Sequence, residues 1–241
     1  MTKISERTLN SQEREKAEAR LSELADDFPE IHRLSPFLFL RTGFLAKFLF
    51  LDHLFREILE VPGDILELGA WHGQSSVIFE HLRAIHEPFA ANRTIFSFDT
   101  FTGYAEDSML DIEAREINSY STGAGWVDTL EEIQSIHQTI NNSKNNFKNI
   151  RGNVLTDLDK FLESEQPLLS LVYFDISTYE TTLAAIECCL PHMPRGGIFV
   201  LDDYGTQYPG VTRALKESKV FKNLIIKKSQ YYPSKVYLKI E

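Results

Sequence analysis

Three aspartates follow two segments of apolar residues, and each segment predicts a buried β-strand. Asp175 follows residues 168–174, and Asp202 and Asp203 follow residues 198–201. The carboxyl ends of parallel strands meet at one edge of a sheet, where open α/β sheets bind their ligands. Neighbouring carboxylates repel one another unless a cation lies between them, and Mg²⁺ prefers oxygen ligands of this kind. The pattern therefore predicts a magnesium site, against the simpler alternative that these aspartates cap the helices that follow.

A second group of residues predicts a ligand-binding turn. Residues 65–68 predict a short buried strand, Gly69 and Gly73 bracket the turn, and residues 75–86 predict a helix. The turn lacks the G-x-G-x-x-G pattern of dinucleotide sites and the lysine of phosphate loops. The acid before the turn, Glu67, suits a cationic ligand such as S-adenosylmethionine, which carries a sulfonium and an ammonium group. We therefore predict an adenosylmethionine site.

Two later strand ends complete this predicted cofactor site. Asp99 follows the second predicted strand, residues 94–98, where an acid is placed to accept hydrogen bonds from both hydroxyls of an adenosine ribose. The alternative is that Asp99 caps the loop that follows. Asn153 lies at the end of the third predicted strand, residues 147–154, and we expect it near the adenine.

Strand patterns and helix patterns alternate along the chain between these residues. Two short strands at residues 224–227 and 236–240 predict a closing hairpin. We predict an α/β fold, a Rossmann-like doubly wound sheet of seven mostly parallel strands with a C-terminal antiparallel hairpin. The predicted divisions are an N-terminal helical extension at residues 1–60 and the cofactor-binding domain at residues 61–241.

Composition narrows the class of protein. The chain has 241 residues, 43% of them hydrophobic, and a formal net charge of −10, which argues against a nucleic-acid surface. The apolar segment 36–51 contains Arg41 and Lys47 and is shorter than the ~20 residues that span a bilayer, so it predicts a buried or oligomer-facing helix. Residues 1–20 are polar and charged throughout, so we expect no signal peptide there. Adjacent Cys188 and Cys189 predict reduced core thiols, which favours the cytoplasm.

Residues 100–128 show little periodicity and contain many Gly, Ser, Tyr and Asp residues. A loop of this length within a compact domain is usually a lid or a binding loop. Its aromatic residues include Tyr104, Tyr120 and Trp126. A helix is predicted over residues 129–140, and it carries His137, a candidate general base in addition to Asp175.

Four motifs in order resemble the macrocin O-methyltransferase family, the Mg²⁺-dependent sugar O-methyltransferases of antibiotic biosynthesis. They are VPGDILELGAWHG, FDTFTG, YFDISTYETT and PRGGIFVLDDYG, and the resemblance covers roughly residues 42–241. It implies a class I methyltransferase fold. The adenosylmethionine-binding residues that it implies are Glu67, Gly69, Gly73 and Asp99. The implied metal ligands are Asp175, Asp202 and Asp203, at strand ends that also carry the Mg²⁺ ligands in catechol O-methyltransferases, which the chain resembles more distantly.

Other residues beside these positions are included in the predicted cofactor site: Ala70, Ser75, Thr100, Phe101 and Asn153. The chain departs from the family's pattern at two positions near the expected active site. Ser177 stands where the family has the second acid of an Asp-x-Asp-x-Tyr motif, and His72 stands where the family has an arginine. The loss of the acid at residue 177 predicts weaker or absent metal binding. Both departures predict a substrate that differs from the family's sugars.

These features predict an adenosylmethionine-dependent and Mg²⁺-dependent O-methyltransferase that acts on a hydroxyl of a sugar or a glycosylated natural product, with Asp175 or His137 as the base. A phenol or catechol acceptor is an alternative. A non-catalytic adenosylmethionine-binding protein is an alternative of another class. An NAD-linked oxidoreductase is disfavoured, because the turn after the first strand lacks the G-x-G-x-x-G pattern. We expect a homo-oligomer, with no nucleic-acid and no membrane partner.

Overall fold

The structure, a computed structural model, describes residues 11–89, 92–103, 125–143, 146–205, 209–218, 225–232 and 235–241. The chain divides into two compact units, Met1–Phe48 and Leu49–Glu241. This division falls earlier than residue 60, where the sequence placed the end of the helical extension. Most of the predicted lid, with Tyr104 and Tyr120, lies outside the described residues.

The larger unit is built around one sheet. Its strands within the described residues are β1 Asp64–Leu68, β2 Ile95–Asp99, β3 Phe147–Arg151, β4 Leu169–Phe174, β5 Ile198–Leu201, β6 Ile226–Lys228 and β7 Val236–Lys239. The strand order is β3-β2-β1-β4-β5-β7-β6, with β1 to β5 parallel and β7 antiparallel to β5 and β6. This arrangement confirms the predicted mostly parallel sheet of seven strands with an antiparallel C-terminal hairpin.

Helices cover both faces of the sheet. The α-helices in the described segments are α1 Ser11–Asp27, α2 Pro29–Leu34, α3 Thr42–Glu57, α4 Gln74–His86, α5 Trp126–Ile140, α6 Val154–Glu165, α7 Tyr179–Cys189 and α8 Pro209–Glu217. Phe55 of α3 and Phe79 of α4 pack in the core on one face. Phe161, Ile186 and Val211, from α6, α7 and α8, pack in the core on the other face. Residues of the inner strands β1, β2, β4 and β5 contribute to both faces, as expected for strands that are buried on both sides.

A buried arginine joins the loops at the amino edge of the sheet. Arg93 is 5% exposed, and its guanidinium pairs with Glu87 at 2.6 Å and donates to the Ser170 hydroxyl at 2.6 Å. The same guanidinium donates to three backbone carbonyl oxygens, those of Ile58, Val61 and Gly63. One side chain therefore fixes the segment that leads from α3 into β1.

Replacing Arg93 with methionine is expected to lower the free energy of unfolding by about 3–5 kcal/mol, because the partially buried Glu87 loses its cation and three backbone carbonyls each lose one hydrogen-bond donor. Urea unfolding followed by circular dichroism measures the change. Arg195→Met, which removes an exposed guanidinium, is the matched control. Unfolding of the two variants at the same urea concentration would contradict the prediction that Arg93 stabilises the fold.

The smaller unit contains α1 and α2 and exposes large apolar side chains. Glu18 of α1 pairs with Arg41 at 3.0 Å. Leu34, Phe37 and Leu38 are 70%, 80% and 66% exposed.

Among the helices that the structure describes, none combines the length and the apolar character needed to cross a membrane.

The two cysteines are free thiols near the end of α7. Cys188 is half-buried and Cys189 is buried against the core. Burial raises the pKa of both thiols, so both stay protonated at neutral pH and react slowly. They are the core thiols that the sequence predicted.

Candidate active site at the carboxyl edge of the sheet

The turn after β1 brings two strand ends into contact. Gly69 has φ +86°, and its amide donates to the Phe98 carbonyl of β2 at 2.9 Å. A Cβ atom at this position would collide with the carbonyl oxygen of Asp175, the residue after β4. Only glycine combines this backbone conformation with so close an approach. The turn predicted to bind the cofactor and the first predicted metal ligand are therefore direct neighbours.

The second glycine of the turn begins α4. Gly73 has φ +78°, its amide donates to the Ala70 carbonyl at 2.6 Å, and a Cβ atom there would meet the side chain of Leu130 in α5. Ala70 and Leu130 belong to a small core cluster with Phe101 and Val127. Helix α5 thus covers the turn, which is a role that the sequence pattern did not predict.

Asp99 holds the two loops that surround the predicted ribose position. One oxygen of its carboxylate accepts the amide of Trp71 at 2.9 Å, and the other accepts the amide of Phe101 at 2.6 Å. Trp71 and Phe101 both have positive φ, +47° and +55°. Such conformations are costly for residues with a side chain and cluster at ligand sites. Asp99 is therefore also a structural anchor.

Aromatic rings line the outer side of the turn. Trp71 is 44% exposed and stacks on His72 at 3.7 Å, and the His72 ring lies 5.4 Å from that of Trp126. The buried indole nitrogen of Trp126 has no hydrogen-bond partner within the described part of the chain. An unpaired buried donor is costly and fits a site that a polar ligand completes.

Glu67 lies beneath the turn. It is 1% exposed, and its carboxylate accepts a hydrogen bond from the Ser76 hydroxyl, which in turn accepts one from the Ser97 hydroxyl at 2.6 Å. Ser75, next to Ser76 in the first turn of α4, is also buried. These contacts join β1, β2 and α4, so Glu67 fixes the shape of the turn from below.

The other predicted cofactor residues lie at the ends of β2 and β3. The Asn153 side chain caps α6 by accepting the Leu155 amide at 2.9 Å. The amide of Gly152 donates to the carbonyl of Asp99 at 3.0 Å, which places Asn153 beside the predicted ribose position. The Thr100 hydroxyl donates to the Gly103 carbonyl at 2.6 Å and shapes the loop after β2.

The carboxyl ends of β1, β4 and β5 are joined in sequence by backbone hydrogen bonds. The Asp175 amide donates to the Leu68 carbonyl at 2.9 Å, and the Asp202 amide donates to the Phe174 carbonyl at 3.0 Å. Asp175 and Asp202 therefore follow neighbouring strands of one sheet, as the sequence predicted.

The predicted magnesium site does not fit this arrangement. The Asp202 carboxylate is buried, pairs with the ammonium of Lys235 and accepts the hydroxyl of Tyr173. The Asp203 carboxylate accepts the Ser177 hydroxyl at 2.5 Å. Within the described ranges of the chain, no group of three acidic, histidine or cysteine side chains is arranged to hold a metal ion. The side chains at this edge therefore do not support the predicted metal site, because the cation that faces Asp202 is the ammonium of Lys235.

Tyr173 and Lys235 are the two residues of this edge that sequence reasoning missed. Tyr173 was included in an apolar strand, although its register with Glu67 brings its hydroxyl toward the acids. Burial, and then the charges of Asp202 and Asp175, raise the pKa of the Tyr173 hydroxyl well above its usual value. Tyr173 therefore stays a hydrogen-bond donor. The register of the predicted C-terminal hairpin was the signal that could have identified Lys235.

The structure does not bring His137 to the carboxyl edge. Its ring packs against His81 of α4, with ring centroids 4.6 Å apart. His81 follows Gly73 by about 12 Å along the helix axis, at 1.5 Å per residue, and α4 runs away from the edge. Burial and the neighbouring His137 lower the pKa of His81, against the opposing charge of Glu80. We therefore keep Asp175 alone as the proposed base.

The lowered pKa of His81 predicts a loss of stability in acid. The folded state prefers the neutral imidazole, so this stability is present above the unfolded-state pKa of 6.5 and is lost as the pH falls below it. We expect the urea midpoint of the wild-type protein to fall between about pH 7.5 and about pH 5.5 by more than that of His81→Gln. His32→Gln, at an exposed position, should behave like the wild type. Equal pH dependence of wild type and His81→Gln would contradict the expectation.

Comparisons with known proteins identify the family of the chain. The family model for macrocin O-methyltransferase (TylF) matches residues 2–228. The 8-demethyl-8-(2,3-dimethoxy-α-L-rhamnosyl)-tetracenomycin-C 4'-O-methyltransferase of Streptomyces olivaceus is 28% identical over 155 residues, which cover 60% of this chain and 54% of that protein. The mycinamicin III 3''-O-methyltransferase of Micromonospora griseorubida is 24% identical over 157 residues, which cover 60% of this chain and 56% of that protein. The chain spans about half the length of these curated relatives.

Solved structures agree in fold. The structure of CalS11, a calicheamicin methyltransferase, matches with a TM-score of 0.86 at 27% identity and covers 95% of this chain and 93% of that one. The O-methyltransferase NovP matches with a TM-score of 0.65 at 18% identity, over 81% of this chain and 79% of that one. Since the family model matches nearly the full length of the chain, the chain belongs to the macrocin O-methyltransferase family.

Proposed function

We propose that this chain is an S-adenosylmethionine-dependent O-methyltransferase that methylates a hydroxyl of a sugar, either on a small natural product or on a nucleotide-activated precursor. The family supports O-methyl transfer. The acceptor class is taken from the relatives, whose names specify a rhamnosyl group of a tetracenomycin, mycinamicin III and TDP-rhamnose.

One observation carries this proposal: the glycine turn after β1 touches the acid that follows β4. The collision that a Cβ atom at Gly69 would make with the Asp175 carbonyl shows that the two backbones are in direct contact. A ligand bound at the turn therefore lies beside the backbone of Asp175, and we expect its reactive end near the Asp175 carboxylate. This arrangement suits a reaction in which a hydroxyl loses a proton while it attacks the ligand.

The residues around the turn fit adenosylmethionine. The positive φ values of Gly69 and Gly73 open the turn to close approach, and we expect the Asp99 carboxylate, at the end of β2, to accept hydrogen bonds from the ribose hydroxyls. Trp126 supplies an unpaired buried donor within the described residues. When bound, adenosylmethionine supplies an electrophilic methyl group on a sulfonium.

Asp175 is the proposed general base. The acceptor oxygen forms a bond to the methyl carbon, the bond from that carbon to sulfur breaks, and the hydroxyl proton passes to the Asp175 carboxylate. Most of the rate enhancement then comes from holding the hydroxyl in line with the methyl group, with a smaller contribution from proton transfer. No step is assigned to Mg²⁺, because the residues at this edge do not fit a metal site.

Calorimetric titration with S-adenosylhomocysteine, alongside a matched titration with NAD, tests the cofactor. We expect binding of the first compound and none of NAD. Transfer of a labelled methyl group is then measured with TDP-rhamnose, a rhamnosylated natural product and a catechol. Absence of adenosylhomocysteine binding would contradict the proposed function. Binding without transfer to any acceptor would instead favour the non-catalytic alternative.

We also propose that the protein self-associates and resides in the cytoplasm. The smaller unit carries the exposed Leu34, Phe37 and Leu38, which support a contact between copies of the chain. The free thiols Cys188 and Cys189 support a reducing compartment. Light scattering of the purified protein measures the assembly, and a monomer at all concentrations would contradict self-association.

A further inference from the structure

The C-terminal hairpin delivers a lysine to the carboxyl edge. Strand β7 runs antiparallel to β5 with Val236 opposite Leu201, so the next pair along the two chains is Lys235 and Asp202. The backbone of Lys235 is fixed, because its amide donates to the Tyr232 carbonyl at 3.2 Å and its carbonyl accepts the Ser229 amide at 2.9 Å. The position of the lysine is therefore set by the sheet and by the turn.

The ammonium of Lys235 is enclosed. It pairs with the Asp202 carboxylate and lies 4.8 Å from the centre of the Tyr232 ring. The side chains of Lys235 and Asp202 are only 8% and 9% exposed. An isolated charge at such a depth is costly, so the two groups depend on each other. This differs from a surface ion pair, which contributes little and exchanges readily with water.

The hydrogen bond and the ion pair of Asp202 both involve the same carboxylate oxygen. Oδ1 of Asp202 accepts the Tyr173 hydroxyl and also pairs with Lys235. A magnesium ion requires unprotonated oxygen ligands at about 2.0–2.1 Å in near-ideal octahedral geometry. An ion at this oxygen would have to displace both donors and would be repelled by the ammonium, so the lysine and a divalent cation exclude each other.

We propose that Lys235 supplies, at the carboxyl edge, the positive charge that the sequence pattern assigned to Mg²⁺, so that the chain holds no divalent cation there and transfers the methyl group without one. Lys235 acts through Asp202 and is a positioning residue. Its ammonium neutralises the carboxylate of Asp202, so that a side chain of the protein does what a bound cation would otherwise do. The claim about methyl transfer rests on the proposed function, whereas the claim about cation binding does not.

Binding of Mn²⁺, measured by electron paramagnetic resonance on the full chain, tests the proposal together with calorimetric binding of S-adenosylhomocysteine and activity in excess chelator. We expect the wild type and Lys235→Arg to bind no stoichiometric Mn²⁺ and the wild type to keep its activity in chelator. Lys235→Met should gain one Mn²⁺ per chain at Asp202, and its activity should become dependent on that ion. Lys228→Met, which removes an exposed lysine from the same hairpin, should match the wild type.

One Mn²⁺ per wild-type chain, lost in Asp202→Asn, would overturn the proposal, as would loss of wild-type activity in chelator. A folded Lys235→Met protein that gains no Mn²⁺ would also overturn it, because Lys235 would then not be what excludes the cation. If Lys235→Met does not fold, the wild type and Lys235→Arg decide the result. Absence of adenosylhomocysteine binding in every protein would contradict the proposed function and leave the Mn²⁺ result standing.

Discussion

We expect Gly69→Ala to lose about 100-fold or more in affinity for S-adenosylhomocysteine, which corresponds to about 2.7 kcal/mol of binding free energy. Two effects act at this position. The backbone has φ +86°, which a residue with a Cβ atom rarely adopts, and the new methyl group collides with the carbonyl of Asp175. The turn must move away from β4 to accept the methyl group, and the cofactor site changes shape with it. Calorimetry on the folded variant measures the loss.

Gly125→Ala separates the two effects. Gly125 has the same φ of +86°, but a Cβ atom there meets no atom within 4 Å among the described residues. It therefore carries the backbone strain of the Gly69 substitution without the collision. We expect Gly125→Ala to keep most of the affinity. A Gly69→Ala protein that binds adenosylhomocysteine as tightly as the wild type would show that the turn after β1 is not the cofactor site.

Asp175→Asn is expected to lower kcat by about 10³-fold, within the 10²–10⁴ range of general base catalysis, because an amide cannot accept the proton of the acceptor hydroxyl. The affinity for adenosylhomocysteine should change little, since the contact of Asp175 with the turn is made by its backbone carbonyl. The pH profile of kcat gives a second measurement. The acidic limb that reports protonation of the base should disappear in the variant.

Asp159→Asn is the control, because it removes an exposed carboxylate from α6. It should leave kcat and the pH profile unchanged. If Asp175→Asn kept its kcat within about tenfold of the wild type, proton transfer to this residue would be a minor part of catalysis, and positioning of the hydroxyl would be the main contribution.

The sequence predicted elements well where a local pattern determines them. The apolar segments became β4 and β5, and the alternation of strand and helix became the doubly wound sheet. Boundaries that depend on tertiary contacts differed. The helix predicted from residue 129 begins at Trp126, after Gly125, and its first turn packs on the cofactor turn. The third strand ends at Arg151, because Asn153 caps α6.

The residues of the predicted cofactor site lie at neighbouring strand ends, and several of their side chains have structural roles of their own. The two glycines lie in the conformations that the turn needs, and Asp99 lies at the predicted strand end. The sequence could not show that Asp99 holds the amides of two neighbouring loops or that Glu67 is buried beneath the turn. Those facts depend on where α4 and the loop after β2 pack.

By itself, the sequence determined the order of strands and helices, the glycine turn and the row of aspartates after β4 and β5, because residue type and spacing act locally. Only the tertiary structure decided which partner each acid has. Asp202 pairs with Lys235 through the register of an antiparallel hairpin, and His137 packs on His81 because α5 covers α4. A shift of one residue in that register would turn Lys235 to the other face of the sheet, so side-chain chemistry at this edge depends on pairings between distant segments.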